Sequence, residues 1–257
     1  MQHKVQGNIT LKQLKLLNIN YTIFNKNRFE YQLRNLISLA KKNNNPVALI
    51  FKINDLKNEK IEGRLIKKKS NLVKRANFLK KLIENHENVK IVATTGFTSR
   101  ELFQLRKQSN NSKNEDFYMV GAMGHASMVT LGLSFKTKKK VICLDGDGSF
   151  LMHMGSAVTC TKFGGTNLKY ILLNNKCHES VGKQPTSIDK INLKLFSKSI
   201  GYKNYFVIES HEKIKNTLNK FMVSKGPSFL EVKISSDSLK ELGRIKNLKK
   251  IRKIFLN

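Results

Sequence analysis

Apolar runs alternate with amphipathic segments along most of the chain, and this pattern predicts alternating strands and helices. Apolar runs typical of buried strands stand at 89–94, 117–120, 141–145, 168–173, 205–208 and 229–234. Segments with helical periodicity or helix-start signals lie between them, at 71–85, 95–106, 121–133, 149–163, 190–200 and 211–224. Alternation of this kind favours a parallel sheet covered by helices on both faces. We therefore predict an α/β domain over 71–236, followed by a basic tail at 237–257 that is helical or partly disordered.

The first quarter of the chain predicts a smaller α/β piece at 1–53. Its elements are a helix at 11–17, a strand at 21–24, a helix at 29–42 and a strand at 47–53. Residues 54–70 are highly charged and poorly periodic, so we interpret them as a linker. The sequence has no apolar run long enough to span a membrane and no signal peptide at its start. Three cysteines without metal spacing favour a reducing cytoplasm.

The charge of the chain is strongly positive, with 48 Lys and Arg against 18 Asp and Glu, a net +30. One interpretation is nucleic-acid binding, and the other is a general lysine bias. The basic residues are spread over helix faces and both ends, and no nucleic-acid motif accompanies them. We therefore favour the bias and do not expect nucleic acid as a partner. An anionic substrate would also be attracted to such a surface.

Four unusual segments follow predicted strands. They are TTGFTSRE (94–101), GAMGH (121–125), DGDGS (145–149) and NNKCHESVGKQPT (174–186). Ligands bind parallel sheets at the carboxyl ends of the strands. These segments therefore predict one binding site at that edge.

The GDGS segment contains groups suited to a cation and a phosphate. Gly146 and Gly148 permit a tight turn and close backbone approach. Asp147 offers a carboxylate, Asn174 or Asn175 offers an amide oxygen, and oxygens of this kind suit Mg²⁺. The start of the following predicted helix favours an anion such as a diphosphate. Alone, GDGS is more typical of a plain turn, and it is the strand–GDGS–helix–strand–NN order that favours the binding site.

The segments TTGFTSRELF, VGAMGHASMVTLGL, CLDGDGSFLMHMG and NNKCHESVGKQPT together resemble the phosphonopyruvate decarboxylase family of thiamine diphosphate-dependent 2-oxo acid decarboxylases. Sulfopyruvate decarboxylases resemble the HESVG stretch less well. The resemblance covers nearly the whole chain and is strongest over 92–186. It implies a diphosphate-binding (PP) domain at 71–236 and the C-terminal part of a pyrimidine-binding (PYR) domain at 1–53. The implied activity is decarboxylation of phosphonopyruvate to phosphonoacetaldehyde, in phosphonate biosynthesis, with thiamine diphosphate and Mg²⁺.

The resemblance also implies site residues. Asp147 and Asn175 would bind Mg²⁺ through their side chains and Cys177 through its backbone carbonyl, while Asn174 would brace the loop. The residues implied to contact the cofactor are Thr95, Gly96, Gly121, Met123, Gly146, Gly148 and Ser149. Met123 matches the bulky residue that holds the cofactor bent, although taken alone it is more typical of core packing.

Candidate catalytic residues are His125, His178 and Glu179. His178 and Glu179 could contact an anionic substrate, transfer a proton, or hold one another. His125 could equally cap a helix or lie in the core. His153 and Met154 are expected in the core, and Thr98 and Glu101 have the spacing of a capping box.

The sequence departs from the family pattern in ways that bear on activity. The resemblance implies that this sequence holds only the last part of a PYR domain, without the glutamate that protonates the pyrimidine. We therefore expect a separate PYR chain and an oligomer, with no activity in the lone chain. Lys183 stands where the pattern has glycine, and Phe97 where it has a polar residue. The alternatives are a sulfopyruvate or other 2-oxo acid decarboxylase subunit and, in another class, a truncated non-catalytic relic or basic binding protein.

Overall fold

A computed structural model describes residues 4–56, 72–86, 88–109, 116–243, 245 and 247–256. The chain divides into two compact units, Met1–Ile66 and Lys67–Asn257. Most of the predicted linker, 57–70, lies outside the described residues. No helix in the described ranges is long and apolar enough to cross a membrane.

Unit 1 is a small two-layer α/β piece. It contains α1 (Lys4–Leu16), β1 (Asn20–Ile23), α2 (Phe29–Asn43) and β2 (Val47–Ile50). The two strands pair in parallel, with Asn20 opposite Val47. Leu36 is the one buried apolar residue among the described residues of this unit, so the unit has very little core of its own.

Unit 2 is built on a six-stranded parallel sheet. Its strands are β3 (Val89–Ala93), β4 (Phe117–Tyr118), β5 (Lys140–Gly146), β6 (Leu168–Asn174), β9 (Asn204–Ile208) and β10 (Ser228–Lys233). The order across the sheet is β4-β3-β5-β6-β10-β9. A separate antiparallel hairpin, β7 (Cys177–His178) with β8 (Gln184–Pro185), follows β6.

Helices cover both faces of this sheet, which confirms the predicted fold class. Unit 2 contains α3 (Arg75–Asn85), α4 (Phe97–Gln108), α5 (Ala126–Ser134), α6 (Asp147–Met152), α7 (Ser156–Phe163), α8 (Leu193–Ser199), α9 (Lys213–Val223) and α10 (Leu248–Leu256). Side chains of α3, α4 and α9 pack in one apolar cluster. Those of α5 to α8 pack in a second cluster. Strand residues alternate between the two clusters, because successive side chains in a strand point to opposite faces.

Two buried polar side chains of β6 are held by specific partners. The Lys169 ammonium, fully buried, donates to the carbonyls of Phe221 at 2.8 Å and Ser224 at 2.5 Å, at the end of α9. The Tyr170 hydroxyl donates to Asp145 Oδ2 at 2.7 Å. Both contacts satisfy groups that would otherwise be costly to bury.

Several local predictions were wrong. The single helix predicted at 149–163 is two helices, α6 and α7, and His153 lies exposed at the break between them instead of in the core. Thr98 and Glu101 do not form a capping box, because Gly96, with φ +95°, stands at the N-cap and Glu101 is buried in other contacts. The basic tail does contain a helix, α10, whose Phe255 ring lies 5.1 Å from that of Phe117.

Candidate functional site

A cleft opens at the carboxyl edge of the unit 2 sheet. The connections after β3, β4, β5 and β6 all contribute to its wall, as the sequence predicts. Its lining includes Thr94, Thr95, Phe97, Thr98, Met123, Gly146, Asp147, Gly148, Ser149, Asn175, Cys177, His178, Glu179, Ser180 and Val181. Arg75, Leu173 and Ile234 complete the described lining.

Strand register places the two candidate metal ligands at the same edge. Gly146, the last residue of β5, pairs with Leu173 in β6, so Asp147 and Asn175 follow directly from adjacent strand ends. Asp147 is 3% exposed and its Oδ2 accepts a hydrogen bond from Thr186 Oγ1 at 2.7 Å. Burial raises the pKa of Asp147, and the Thr186 hydrogen bond opposes that rise. A cation bound here would offset the same desolvation.

The two asparagines of the NN pair point to different partners. Asn174 Nδ2 donates to Glu231 Oε1 in β10 at 2.8 Å, so its side chain braces the sheet and does not line the cleft. Asn175 lines the cleft, and its Oδ1 accepts from the backbone N–H of Cys177 at 3.2 Å. This geometry makes Asn175 the asparagine available to a bound group.

Gly148 is required by a close approach of the hairpin. A β-carbon at this position would lie 2.4 Å from Cε1 and 2.5 Å from Nδ1 of His178, and 3.4 Å from the Met123 methyl. Only glycine therefore lets His178 and Met123 converge over the first turn of α6.

Ser149 ties three of the connections together. Its hydroxyl lies 2.8 Å from Thr94 Oγ1 and accepts from the backbone N–H of Gly124 at 2.9 Å. Thr95 Oγ1 accepts from the N–H of Gly121 at 3.3 Å. These bonds fix the backbone of the wall in place, and they use the Ser149 side chain structurally.

An ionic cluster in the wall escaped the sequence prediction. Arg75 pairs with Glu179 and lies 3.5 Å from Glu101, and Asn175 Nδ2 donates to Glu179 at 3.1 Å. Burial raises the pKa of Glu101, and the charge of Arg75 opposes this. Arg75 opens α3, far from the motifs along the chain, and no local pattern marks it. Glu179 is thus held by neighbours, which favours the structural alternative for this residue.

The remaining candidate residues occupy the rim or the interior. His125 is exposed, its Nδ1 lies 3.2 Å from the Met123 carbonyl, and its ring lies 4.3 Å from that of His153. His125 is not among the cleft residues. The Cys177 thiol is buried, and burial raises its pKa to about 11. Lys183 adopts a left-handed φ of +60°, a conformation that favours glycine.

The residues present fit a diphosphate with a divalent cation. The cleft offers the buried Asp147 carboxylate, the Asn175 amide oxygen and a backbone at Gly148 that leaves no room for a β-carbon. Helix α4 begins at the wall with Gly96 at its N-cap and without a side-chain cap, and the first turn of a helix favours a bound anion. No group of three or more His, Cys, Asp and Glu side chains poised for a metal occurs among the described residues. The carboxylate and amide oxygens in the cleft are ligands of the kind that Mg²⁺ prefers.

Comparison with known proteins agrees with this chemistry. The profile of the thiamine pyrophosphate enzyme C-terminal TPP binding domain matches residues 94–232. A phosphonopyruvate decarboxylase of Streptomyces hygroscopicus is 36% identical over 156 residues, 61% of this chain and 38% of the relative. A second, from Streptomyces viridochromogenes, is 35% identical over 64% of this chain and 40% of the relative. The chain thus matches less than half the length of these relatives.

A shorter relative is matched over most of its length. The sulfopyruvate decarboxylase subunit beta of Methanocaldococcus jannaschii is 37% identical over 152 residues, 57% of this chain and 78% of the relative. The matched profile covers more than half of the chain and contains the whole Asp147–Asn175 edge of the cleft. The chain therefore belongs to the thiamine pyrophosphate enzyme family, through the TPP-binding domain that forms most of its unit 2.

Proposed function

We propose that this chain is the diphosphate- and metal-binding part of a phosphonopyruvate decarboxylase. The observation that carries the proposal is the meeting of Asp147, Asn175 and the start of α4 in one cleft. The similarity to phosphonopyruvate decarboxylases supports it. Thiamine diphosphate, when bound, supplies the electron sink that lets a 2-oxo acid lose CO₂.

The roles of the residues follow from their positions. Asp147 and Asn175, with the Cys177 carbonyl, hold Mg²⁺. The backbone around Gly148 and the start of α4 hold the diphosphate, because the first turn of a helix presents backbone N–H groups to an anion. Met123 offers an apolar support beside Gly148, since its methyl would lie 3.4 Å from a β-carbon at that position.

His178 is the side chain of this chain best placed to meet the substrate. Its ring lies directly over Gly148 at the wall of the cleft. An imidazole there can donate a hydrogen bond to an anionic carboxylate or phosphonate. Phe97 and Val181 line the same cleft and reduce the access of water. Lys183, on the hairpin beside it, adds positive charge suited to a dianionic substrate.

We further propose that a PYR-domain partner completes the site. Relatives named as beta subunits of sulfopyruvate decarboxylase support a multi-chain arrangement. Unit 1 supports it too, because an isolated pair of parallel strands is rarely stable and Leu16 and Ile53 are 82% and 92% exposed. The partner would supply the carboxylate that activates the pyrimidine end of the cofactor.

Calorimetry with thiamine diphosphate and Mg²⁺ tests the metal assignment. Asp147→Ala is expected to abolish Mg²⁺-dependent binding, because it removes the charged ligand. Asp189→Ala, an exposed acid of the same unit, makes the same change of net charge and is expected to bind like the wild type. Undiminished binding by Asp147→Ala would refute the assignment.

A second experiment tests the substrate and the partner. The chain mixed with a PYR-domain polypeptide is expected to release CO₂ from phosphonopyruvate with a higher kcat/KM than from sulfopyruvate or pyruvate. The lone chain is expected to show no turnover above the cofactor alone. A preference for sulfopyruvate would favour the second candidate, which the 78% coverage of the Methanocaldococcus subunit supports. Turnover by the lone chain would refute the need for a partner.

A further inference from the structure

Arg75 joins two acidic side chains from distant parts of the chain at the wall of the cleft. Its guanidinium pairs with Glu179, beyond β7, and its Nη1 lies 3.5 Å from Glu101 Oε1 in α4. The side chains are buried, with exposures of 4% for Arg75, 4% for Glu179 and 0% for Glu101. Buried ion pairs seldom stabilise a fold more than apolar packing would. The cluster therefore calls for an explanation other than stability.

Glu179 connects this cluster to a proposed metal ligand. Asn175 Nδ2 donates to Glu179 Oε2 at 3.1 Å, the same oxygen that Arg75 contacts. The opposite end of the amide, Oδ1, accepts from the N–H of Cys177 at 3.2 Å. A carbonyl oxygen has two lone pairs, so Oδ1 can keep this bond and also bind a cation. The amide is thus fixed with its oxygen on the ligand side.

We propose that Arg75 is a positioning residue for the metal site. It holds Glu179, and Glu179 holds the Asn175 amide in the orientation that presents Oδ1 to Mg²⁺. This inference rests on the proposed function, since it concerns the same site. Partners beyond the ligands commonly orient ligands in this way, and losing them typically lowers metal affinity about 10–100-fold.

The geometry explains why an arginine serves here. Glu101 is fixed from behind, because its Oε1 accepts from the N–H of Leu239 at 2.8 Å. A forked guanidinium can meet this fixed carboxylate and Glu179 at once, whereas a single ammonium presents one nitrogen. The Nε and Nη1 atoms of Arg75 have no hydrogen-bond partner among the described residues. Two nitrogens of Arg75 are thus left without hydrogen bonds, and the contact with Glu179 is the one that the proposed role uses.

A double-mutant cycle on the full chain tests the proposal. Mg²⁺ affinity at fixed thiamine diphosphate is measured by calorimetry for wild type, Arg75→Lys, Asn175→Ala and the double variant. Arg75→Lys is expected to weaken Mg²⁺ binding about 10-fold in the wild-type background and to have no effect in the Asn175→Ala background. No hydrogen bond joins Arg75 to Asn175 among the described residues, and both contact Glu179 Oε2, so such coupling would be transmitted through Glu179. Losses that simply add would overturn the positioning role.

Thermal unfolding without ligand separates folding from positioning. If Arg75→Lys is too unstable to assay, Glu179→Gln takes its place, since it keeps the side-chain size and removes the charge that Arg75 holds. It is expected to give the same loss, again absent beside Asn175→Ala. If Asp147→Ala abolishes Mg²⁺ binding but Arg75→Lys and Glu179→Gln leave it unchanged, this inference is overturned and the proposed function is not. A wild-type chain that binds no Mg²⁺ with thiamine diphosphate would overturn the proposed function with it.

Discussion

Removing one hydroxyl beneath the GDGS segment should measurably destabilise unit 2. Tyr170 is 1% exposed, and its hydroxyl donates to the buried Asp145 carboxylate at 2.7 Å. Its ring stacks on Phe229, with centroids 5.1 Å apart and planes at 9°. Tyr170→Phe keeps this ring packing and leaves no cavity. The substitution therefore isolates one hydrogen bond to an acidic group.

The magnitude follows from the partners that remain. Asp145 keeps the N–H of Gly146, which donates to Oδ1 at 2.9 Å. A hydrogen bond to a charged group contributes about 1.5–3 kcal/mol. We expect Tyr170→Phe to lower the free energy of unfolding by about 2 kcal/mol. For a unit of this size, the corresponding fall in Tm is about 4–8 °C.

Tyr202 provides a matched control in the same apolar cluster. It is 4% exposed, its ring lies 6.2 Å from that of Tyr170, and its hydroxyl has no hydrogen-bond partner among the described residues. Tyr202→Phe removes an unpaired buried hydroxyl, so stability should stay the same or rise. Urea unfolding at pH 7 measures both variants. Equal losses in the two, or no loss in Tyr170→Phe, would refute the hydrogen-bond account.

Three further predictions concern the backbone at Gly148, the buried Lys169 and the basic surface. Gly148→Ala should weaken thiamine diphosphate binding at least about 10-fold, because its β-carbon would lie 2.4 Å from the His178 ring. Gly132→Ala, where a β-carbon on α5 would meet nothing within 4 Å, should bind like the wild type. Equal affinities of the two variants in calorimetry would contradict the prediction. Lys169→Met should cost about 2–3 kcal/mol in unfolding at pH 7, since two carbonyls at the end of α9 lose a donor. Burial lowers the pKa of Lys169 to about 8 in the folded protein, whereas in the unfolded chain the ammonium keeps its proton to higher pH. The stability of the wild type should therefore rise relative to that of Lys169→Met between about pH 8 and 10. A difference in stability that does not change over this pH range would contradict the prediction. Random-sequence DNA should bind weakly and lose affinity steeply with added salt in anisotropy titrations, whereas nanomolar, sequence-selective binding near physiological salt would revive the nucleic-acid interpretation.

Much of the fold could be predicted because its elements carry strong periodic signals. Strands such as β5 and β6 are buried on both faces and read as continuous apolar runs. The placement of four polar loops at one edge then follows from the parallel order alone. The exact ends could not be predicted: α6 stops at Met152, where His153 adopts a non-helical backbone before a second helix begins at Ser156.

The parts of the site that escaped prediction depend on contacts between distant residues. Arg75 contacts Glu179 across more than a hundred positions of sequence, and the sequence around either residue contains no pattern that predicts the contact. Glu101 has the spacing of a capping residue, but its carboxylate turns inward to Arg75 and Leu239. Gly148, in contrast, could be singled out in advance, because the strand–GDGS–helix–strand–NN order predicts a binding site where glycine permits close backbone approach.

The pairing of the last residues of β5 and β6 limits where such chains can gain or lose residues. Gly146 pairs with Leu173, so the cleft depends on where each strand stops and not on how many residues connect them. The connection between β5 and β6, which contains α6 and α7, could lengthen or shorten by whole helical turns without moving Asp147 or Asn175. A single residue added inside β6 would instead move Asn175 by about 3.3 Å and turn it to the opposite face. Insertions and deletions should therefore be tolerated in the helical excursion and excluded from the strands, so that the spacing between the two motifs can drift while their alignment in the sheet cannot.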